Sequence, residues 1–376
     1  DCIDAVDVET ICILVGMMLL VAVIKNSGIF EYIAIKAAKI AKGRPWPIMV
    51  IFILITAVCS GMLDNVTTVL LVGPMTLAIT NILKVDPVPY IITQIMASNI
   101  GGTATLIGDP PNIMIGSAAK LSFVDFILNT GVATVFVIIV GLICMYFIYG
   151  RKLFVTDESI AKVMQLDENK AIKDRKLMHE SVIVIILVAL CFIFHDQLGV
   201  QSCTVAIAAA CIMLLIGGQE PEEIIADVEW PTILFFIGLF IVVGGMKKVG
   251  VITMLANGLI SITHGNMVVT MMVILWVSAI VSSFLDNIPF VATLIPMILT
   301  MQSEGMDVAP IWWALSLGAC LGGNGTLIGA SANVVLSGIS KNNGHPITFG
   351  QYFKIGFPMM ILSIIVCSVF LLIRFA

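Results

Sequence analysis

The feature that most constrains this chain is a series of apolar stretches, each long enough to cross a lipid bilayer, that recurs along the whole sequence. A transmembrane helix needs about 20 mostly apolar residues. Clear candidates lie at 10–25, 88–118, 129–149, 181–198, 202–217, 230–246, 310–340 and 355–375. This pattern predicts an all-α polytopic membrane protein.

The composition supports this class and excludes others. Only 11% of the residues are charged, whereas soluble globular proteins carry about 25%. So few charges cannot cover a soluble surface, which excludes a soluble enzyme and a disordered chain. The net charge of −5 excludes a nucleic-acid binder, which needs a basic surface. We therefore expect an integral, multi-pass membrane protein, in the cell membrane if the source is prokaryotic.

Two further apolar stretches, at 46–83 and 267–301, have a different pattern. Each has the length of two short helices and carries an Asp-Asn pair in its middle, at 64–65 and at 286–287. An ionised Asp at the centre of a lipid-facing helix costs about 2.5–3.5 kcal/mol on insertion scales. Polar backbone at that depth is tolerated only inside protein or beside water. Both stretches are therefore predicted to be re-entrant helical hairpins with the Asp-Asn pair at the tip.

The sequence contains an internal repeat. LDNV at 63–66 matches LDNI at 285–288, an offset of 222 residues. GGTATLIG at 101–108 matches GGNGTLIG at 322–329, an offset of 221. The elements follow the same order in both halves, and such repeats are the signature of many secondary transporters.

The second half has two spans, at 181–198 and 202–217, for which the first half has no counterpart. We expect a first repeat at 1–150 that lacks its first two helices, with a natural short form as the alternative. A charged cytoplasmic linker is predicted at 151–180 and a second repeat at 181–376. If the clusters of Lys and Arg are cytoplasmic, the two hairpins enter from opposite sides and the repeats are inverted.

Two Gly-rich segments interrupt long spans: NIGGTATLIGDPPN at 99–112 and GGNGTLIGASAN at 322–333. Paired glycines and a Pro-Pro are unfavourable in a continuous helix, so each span is predicted to be a broken helix. Unwound backbone frees carbonyl oxygens that ligate cations, and the exposed helix N-termini attract anions.

The hairpin tips and the broken helices are expected to form one site that binds the substrate or a coupling ion. The candidate residues are Asp64, Asn65, Thr67, Asn99, Thr103, Thr105, Asp109, Asn112, Asp286, Asn287, Asn324, Thr326, Ser331 and Asn333. Two alternatives remain open. The Asp residues could cap helices or, at 109, form a turn, and small polar residues also hold membrane helices together. Ala330 stands where the first half has Asp109, so the predicted site is asymmetric.

The four histidines, at 179, 195, 264 and 345, all fall in predicted loops, so none is expected to relay protons. Segments 31–42 and 251–263 are predicted to be amphipathic helices at the membrane interface.

Three motifs carry a resemblance to a known family: LDNVTT at 63–68, NIGGTATLIGDPPN at 99–112 and LGGNGTLIGASANVV at 321–335. They resemble the arsenite permease/sodium–proton antiporter (ArsB/NhaD) branch of the ion transporter superfamily, and are most similar to its melanosomal P protein subgroup. The resemblance covers essentially the whole chain. It implies a hairpin-and-broken-helix fold related to the divalent-anion/sodium symporters, with elevator-type alternating access.

These features together predict a secondary active transporter rather than an enzyme, coupled to H⁺ or Na⁺ and without a cofactor or any metal other than Na⁺ at the same residues. By resemblance, the substrate is a small ion or oxyanion, such as arsenite, antimonite or Na⁺ in exchange for H⁺. A passive anion channel or an organic-anion transporter is the alternative. The expected partners are the lipid bilayer, a small inorganic or organic ion and a second copy in a homodimer, with no nucleic acid.

Overall fold

The computed structural model describes residues 5–263 and 265–376, with only the backbone at 195–198. The described residues form helices and connecting loops without a strand. The α-helices are α1 Val8–Lys25, α2 Ile29–Ile40, α3 Pro45–Leu63, α4 Asn65–Leu83, α5 Val88–Thr103, α6 Pro110–Ala119, α7 Phe123–Phe126, α8 Val132–Ile148, α9 Asp157–Met164, α10 Arg175–Leu198, α11 Ser202–Ile216, α12 Pro221–Ala226, α13 Trp230–Lys248, α14 Val251–Thr263, α15 Met267–Phe284, α16 Asn287–Ser303, α17 Ala309–Gly322, α18 Ser331–Asn342 and α19 Phe349–Phe375. A π-helical turn, Ile127–Gly131, joins α7 to α8.

The all-α membrane architecture is confirmed. Eight helical segments in the described residues are long and apolar enough to cross a membrane. Helices α2 and α14 lie at the two segments predicted to be amphipathic. Both predicted broken helices are interrupted, between α5 and α6 and between α17 and α18.

Three predicted spans start six residues too late. The segment predicted at 129–149 begins at Phe123, and α19 begins at Phe349 rather than at residue 355, because Thr348 and Gln351 form a capping box there. Helix α10 begins at Arg175 rather than at residue 181, because the Asp174 carboxylate accepts hydrogen bonds from the backbone amides of Lys176 and Leu177 and caps the helix there. The prediction that His179 lies in a loop is wrong for the same reason, and that for His195 is wrong because α10 continues to Leu198.

The histidine at position 345 lies in a loop as predicted, and the prediction for position 264 falls outside the described residues.

In the first hairpin, α3 runs parallel to α5. The Tyr90 hydroxyl donates to the Pro45 carbonyl oxygen at one end (3.0 Å), and the Thr105 hydroxyl donates to the Gly61 carbonyl oxygen at the other (2.5 Å). The end of α3 therefore lies beside the break that follows α5, and the single residue Asp64 connects α3 to α4 at that depth.

Helix α4 returns antiparallel to α5. Near the tip the Ser98 hydroxyl donates to the Asn65 carbonyl oxygen (3.0 Å), and further from the tip the Thr76 hydroxyl lies 2.8 Å from the side-chain oxygen of Gln94. Helices α3 and α4 thus form an antiparallel pair. Each has 19 residues, so length alone would let each cross the bilayer.

The internal repeat is visible in the hydrogen bonds. Equivalent hydroxyls donate to equivalent carbonyl oxygens in the two halves, which fixes the end of each hairpin against its broken helix. These pairs are Ser60 to Ser98 and Ser282 to Ala319 (both 2.6 Å), and Thr105 to Gly61 and Thr326 to Ser283.

The two broken helices cross in opposite directions. Asn99 of α5 contacts Asn333 of α18, whereas Asn112 of α6 contacts Ser316 of α17. The halves also exchange contacts reciprocally, because α4 packs on α18 and α16 packs on α6. The four elements that the sequence predicts to form the site are therefore held together at the centre.

Candidate ion-binding site

Asp64 forms the tip of the first hairpin. Its carboxylate accepts a hydrogen bond from the Thr67 backbone amide (2.8 Å) and another from the Thr67 hydroxyl (2.5 Å), which caps α4. The side chain is buried, and the backbone φ of +106° lies in a region that few non-glycine residues adopt. The tip is therefore an ordered, strained connection that holds a carboxylate inside the protein.

Asp109 begins α6 directly after the break in the first broken helix. Although it occupies the N-cap position, its side chain makes no capping hydrogen bond. Its two carboxylate oxygens instead lie 3.4 and 3.2 Å from the amide nitrogen of Asn287, at the tip of the second hairpin. Asp109 is only 1% exposed and Asn287 only 3%. The buried carboxylate thus joins a broken helix of one half to the hairpin of the other.

Asp286, at the second tip, is less enclosed than Asp64. Its carboxylate caps α16 through the Ile288 amide (3.0 Å) and accepts a hydrogen bond from the exposed Ser331 hydroxyl (3.1 Å). The cap differs from that of Asp64 because the residue equivalent to Thr67 is Pro289, which has no amide proton to donate.

The centre of the site contains three asparagines. The Asn99 amide nitrogen donates to the side-chain oxygens of Asn324 (2.9 Å) and Asn333 (2.8 Å), one from each side of the second break. The side-chain oxygen of Asn99 is buried and has no hydrogen-bond partner. A buried amide oxygen without a donor is costly, and it is a ready ligand for a cation or an acceptor for water.

Asn112 and Asn333 hold the two breaks open in the same way. The Asn112 amide donates to the carbonyl oxygens of Gly102 (3.3 Å) and Thr105 (2.9 Å), and the Asn333 amide donates to the equivalent oxygens of Gly323 (2.7 Å) and Thr326 (2.8 Å). These amides replace helical hydrogen bonds that the interrupted backbone has lost.

Three of the four threonines among the predicted residues donate their hydroxyl protons to backbone carbonyl oxygens, and the fourth, Thr67, donates to the Asp64 carboxylate. Thr103 donates to the Asn99 carbonyl oxygen (2.7 Å), Thr105 and Thr326 fasten the breaks to the hairpins, and Thr67 completes the cap at Asp64. The structure therefore brings Asp64, Asp109, Asn287 and the three asparagines to the interior, and places Ser331 and Asp286 at its edge.

Two residues that sequence reasoning did not select contact this cluster. The Ser316 hydroxyl donates to the Asn112 side-chain oxygen (2.6 Å), and the Cys320 thiol lies 3.5 Å from the same oxygen. Both are fully buried. The repeat offset pairs Cys320 with Asn99, so comparing the halves position by position would have singled out Cys320.

No basic side chain balances these carboxylates in the part of the chain that the structure describes. The ion pairs found there lie at helix ends and in the linker: Lys25–Asp227, Lys39–Glu168, Lys162–Glu158 and Lys176–Glu180. Burying a carboxylate that has only neutral donors beside it is costly unless a cation or a proton joins it.

Hairpin tips that meet broken helices around buried polar groups are typical of membrane transporters, and they place this protein in that class. The comparisons with known proteins place the chain more closely. Residues 1–318 match the family model described as "Citrate transporter", and the chain belongs to this family.

Similar proteins agree with this assignment. The uncharacterized transporter Rv2684 of Mycobacterium tuberculosis is 42% identical over 374 residues, which are 98% of this chain and 87% of the relative. The P protein of Homo sapiens is 32% identical over 451 residues, covering 99% of this chain and 54% of that protein. The similarity to the P protein subgroup is therefore confirmed. The chain spans about half the length of the human P protein.

A solved structure supports the fold. The YdaH transporter of Alcanivorax borkumensis superposes with a TM-score of 0.64 over 96% of this chain and 84% of that chain, at 14% identity. The protein is thus an integral, multi-pass membrane transporter, and the mycobacterial relatives support the cell membrane as its location.

Proposed function

We propose that this protein is a secondary active transporter that couples the movement of a small ion or oxyanion to H⁺ or Na⁺. The observation that carries the proposal is Asp109. This carboxylate is 1% exposed, is contacted by an amide of the opposite half and makes no capping bond to its own helix. Burying a charged carboxylate is costly, and a bound cation or proton would remove this cost.

The residues around Asp109 favour cation binding. Cys320 and Asn287 contact it, the carboxylates of Asp286 and Asp64 contribute to the negative potential there, and Asn99 offers a buried oxygen that lacks a donor. Na⁺ and H⁺ both fit such a set of oxygen atoms. The coupling ion would neutralise the site before the loaded protein changes conformation.

The packing supports inverted repeats and an elevator-type movement. The broken helices cross antiparallel, and each hairpin packs on the broken helix of the opposite half. In this proposal the helix pairs α3–α4 and α15–α16 and the two broken helices move together against the remaining helices. The site would then face either side of the membrane in turn.

Several substrates are compatible with this site. Na⁺ would bind the carboxylates directly, and neutral arsenite or antimonite could be exchanged for protons. The family description favours an organic anion as the second candidate. A tricarboxylate such as citrate would meet Asp64, Asp109 and Asp286, so it would have to enter together with cations or protons. A passive anion channel is disfavoured by the same negative charges.

The test is transport by purified protein in proteoliposomes. ²²Na⁺, arsenite and ¹⁴C-citrate would each be offered under imposed pH and Na⁺ gradients. We expect gradient-driven accumulation of one of them and its loss in Asp109→Asn, which keeps the size of the side chain and removes its charge. Asp86→Asn is the matched control, because Asp86 is exposed in the loop before α5. Coupled accumulation at wild-type rate in Asp109→Asn, or conductance without accumulation in the wild type, contradicts the proposal.

A further inference from the structure

A row of polar side chains lies inside the first hairpin and leads to its tip. Thr56 and Ser60 lie four residues apart on one face of α3, and Asp64 follows four residues later in the connection to α4. On α4, Thr68 comes four residues after Asp64 and Thr76 eight residues after Thr68, with the apolar Val72 between the two threonines. All five polar residues are buried.

Helix α5 closes this row with Gln94 and Ser98, which are also buried and four residues apart. Gln94 contacts Thr76, and Ser98 contacts the Ser60 hydroxyl (3.4 Å) and the Asn65 carbonyl oxygen. We call Thr56, Ser60, Thr68, Thr76, Gln94 and Ser98 the polar lane.

The second hairpin has only part of this row. On α15 the equivalents of Thr56 and Ser60 are Ser278 and Ser282, but the other four positions are apolar. The equivalents of Thr68, Thr76, Gln94 and Ser98 are Phe290, Ile298, Leu315 and Ala319. A polar row that only helped the helices to associate would be expected in both halves, so its presence in one half points to a directional role.

A small cavity of about 20 Å³ lies beside the polar lane, where Thr56, Thr76 and Gln94 line it together with seven apolar residues. The Thr56 hydroxyl is fully buried and has no hydrogen-bond partner. A cavity needs roughly 10–15 Å³ and two or more polar partners to hold one water molecule. Both conditions are met.

The hydrogen bonds around the cavity are compatible with a water molecule there. The Thr76 hydroxyl lies 2.8 Å from both the Val72 carbonyl oxygen and the Gln94 side-chain oxygen. Because a hydroxyl carries one proton, it can satisfy only one of these acceptors. A water molecule in the cavity would supply the other proton and a partner for Thr56. Closer to the tip, the Thr68 hydroxyl is also buried and has no partner.

The small cavity adjoins a larger one that opens to the surface. A cavity of about 380 Å³ shares Phe30, Ala34 and Met75 with it and reaches the charged residues Lys25 and Glu31. The polar lane therefore lies between the carboxylate of Asp64 and an open cleft beside α2, which is mostly apolar but includes charged residues.

We propose that the polar lane holds water and conducts protons between this cleft and Asp64. Protons would then reach Asp64 only from the side of the protein on which the cleft opens. Protons would pass along the hydroxyls and water and be held at the Asp64 carboxylate. The inference rests on proton coupling in the proposed function, and adds the route and its direction.

Hydroxyl-radical footprinting by X-ray radiolysis tests the water independently of transport. Phe52 lines the small cavity and is 4% exposed, and Phe236 is fully buried and lines none of the cavities described above. We expect Phe52 to be oxidised several-fold faster than Phe236, and the double variant Thr76→Val/Gln94→Leu to remove the difference. Equal oxidation of both phenylalanines in the wild type overturns the proposal.

Proton flux tests the conduction. Proteoliposomes loaded with the pH dye pyranine would report proton movement driven by gradients of Na⁺, arsenite or citrate. The variant Thr76→Val/Gln94→Leu gives these two positions the apolar character that they have in the second half. We expect it to lower the proton flux by about tenfold or more. Thr270→Val is the control, because Thr270 is a fully buried threonine outside the lane.

The outcomes separate this inference from the function itself. If wild-type protein moves no protons under any of the three gradients, the proton route is overturned, while Na⁺-driven accumulation of arsenite or citrate would leave the proposed function standing and its absence would overturn that as well. If the wild type moves protons and the folded double variant moves them at the same rate, the proton route is overturned and the proposed function stands.

Discussion

At the residue scale, the three central Asp residues differ in what their carboxylates do. The cap interpretation accounts for part of Asp64 and Asp286, because both accept hydrogen bonds from the helices that follow them. It does not account for Asp109, whose carboxylate contacts Asn287 of the opposite half instead of its own helix. The sequence identified all three residues, but only the packing shows which carboxylate leaves its own helix uncapped.

Substitutions at Asp64 can distinguish its role in capping α4 from the role of its negative charge in transport. Asn caps helices about as well as Asp and tolerates a positive φ, so we expect Asp64→Asn to change the free energy of unfolding by less than about 0.5 kcal/mol and to abolish coupled flux. Asp64→Ala should cost about 1 kcal/mol in addition. Thermal unfolding in detergent and flux in proteoliposomes measure the two effects. Coupled flux at wild-type level in Asp64→Asn would show that its charge is not used.

At the element scale, glycines decide how closely each hairpin lies against its broken helix. A β-carbon at Gly101 of α5 would overlap the backbone of Ala57 in α3, and one at Gly322 of α17 would overlap the equivalent residue, Ala279 in α15. The sequence showed these glycines as helix breakers, yet both lie at the ends of regular helices. They serve close helix packing as well as the break that follows.

Because these helices pack so closely, adding a single methyl group at Gly101 should strongly lower the stability of the protein. Gly101→Ala should lower the free energy of unfolding by about 1–3 kcal/mol, since α3 and α5 must separate to admit it. Gly238→Ala in α13 is the control, because nothing lies within 4 Å of its added β-carbon. Thermal unfolding of both variants in the same detergent checks this, and equal stability of the two would contradict the contact.

At the scale of the whole molecule, the hairpin tip meets a helix that the proposal assigns to the stationary part. Met17 and Leu20 of α1, Met62 and Leu63 beside the first tip, and Ile107 in the break line one small cavity. Relative movement of the two parts would have to separate these side chains, so the contact reports on the conformational change.

A disulfide across this contact should stop transport. In a background that keeps the buried Cys320 and lacks the other eight cysteines, we expect Met17→Cys combined with Met62→Cys to lose flux on oxidation and to recover it on reduction. Each single cysteine variant is the control and should be insensitive to the oxidant. Full flux with the disulfide formed would rule out movement between α1 and the tip.

A second contact at this scale ties the linker to the first half. Lys39 of α2 lies 2.6 Å from Glu168, and this hydrogen bond holds the pKa of the Glu168 carboxyl below its ordinary value of 4.5. A lowered pKa means that the pair stabilises the folded linker above pH 4.5 and that its contribution is lost as the pH falls further.

Limited proteolysis of the linker should therefore accelerate below pH 4.5, using an acid-active protease. Glu168→Gln should show faster cleavage already at neutral pH and a weaker dependence on pH. Glu158→Gln is the control, since Glu158 pairs only within α9, with Lys162. A pH dependence in Glu168→Gln equal to that of the wild type would contradict the role of the pair.

The sequence alone determined the class, the elements and most of the polar residues that lie together at the centre. Long apolar stretches must be helical in a bilayer because backbone groups there can be satisfied only internally, and the offset of 221–222 residues fixed which motifs correspond. Only the tertiary structure decided which groups meet. The contact of Asp109 with Asn287, the lone oxygen of Asn99 and the polar lane all join residues distant in sequence or on separate helices. Periodicity places a side chain on a face of its own helix, but packing decides what that face touches.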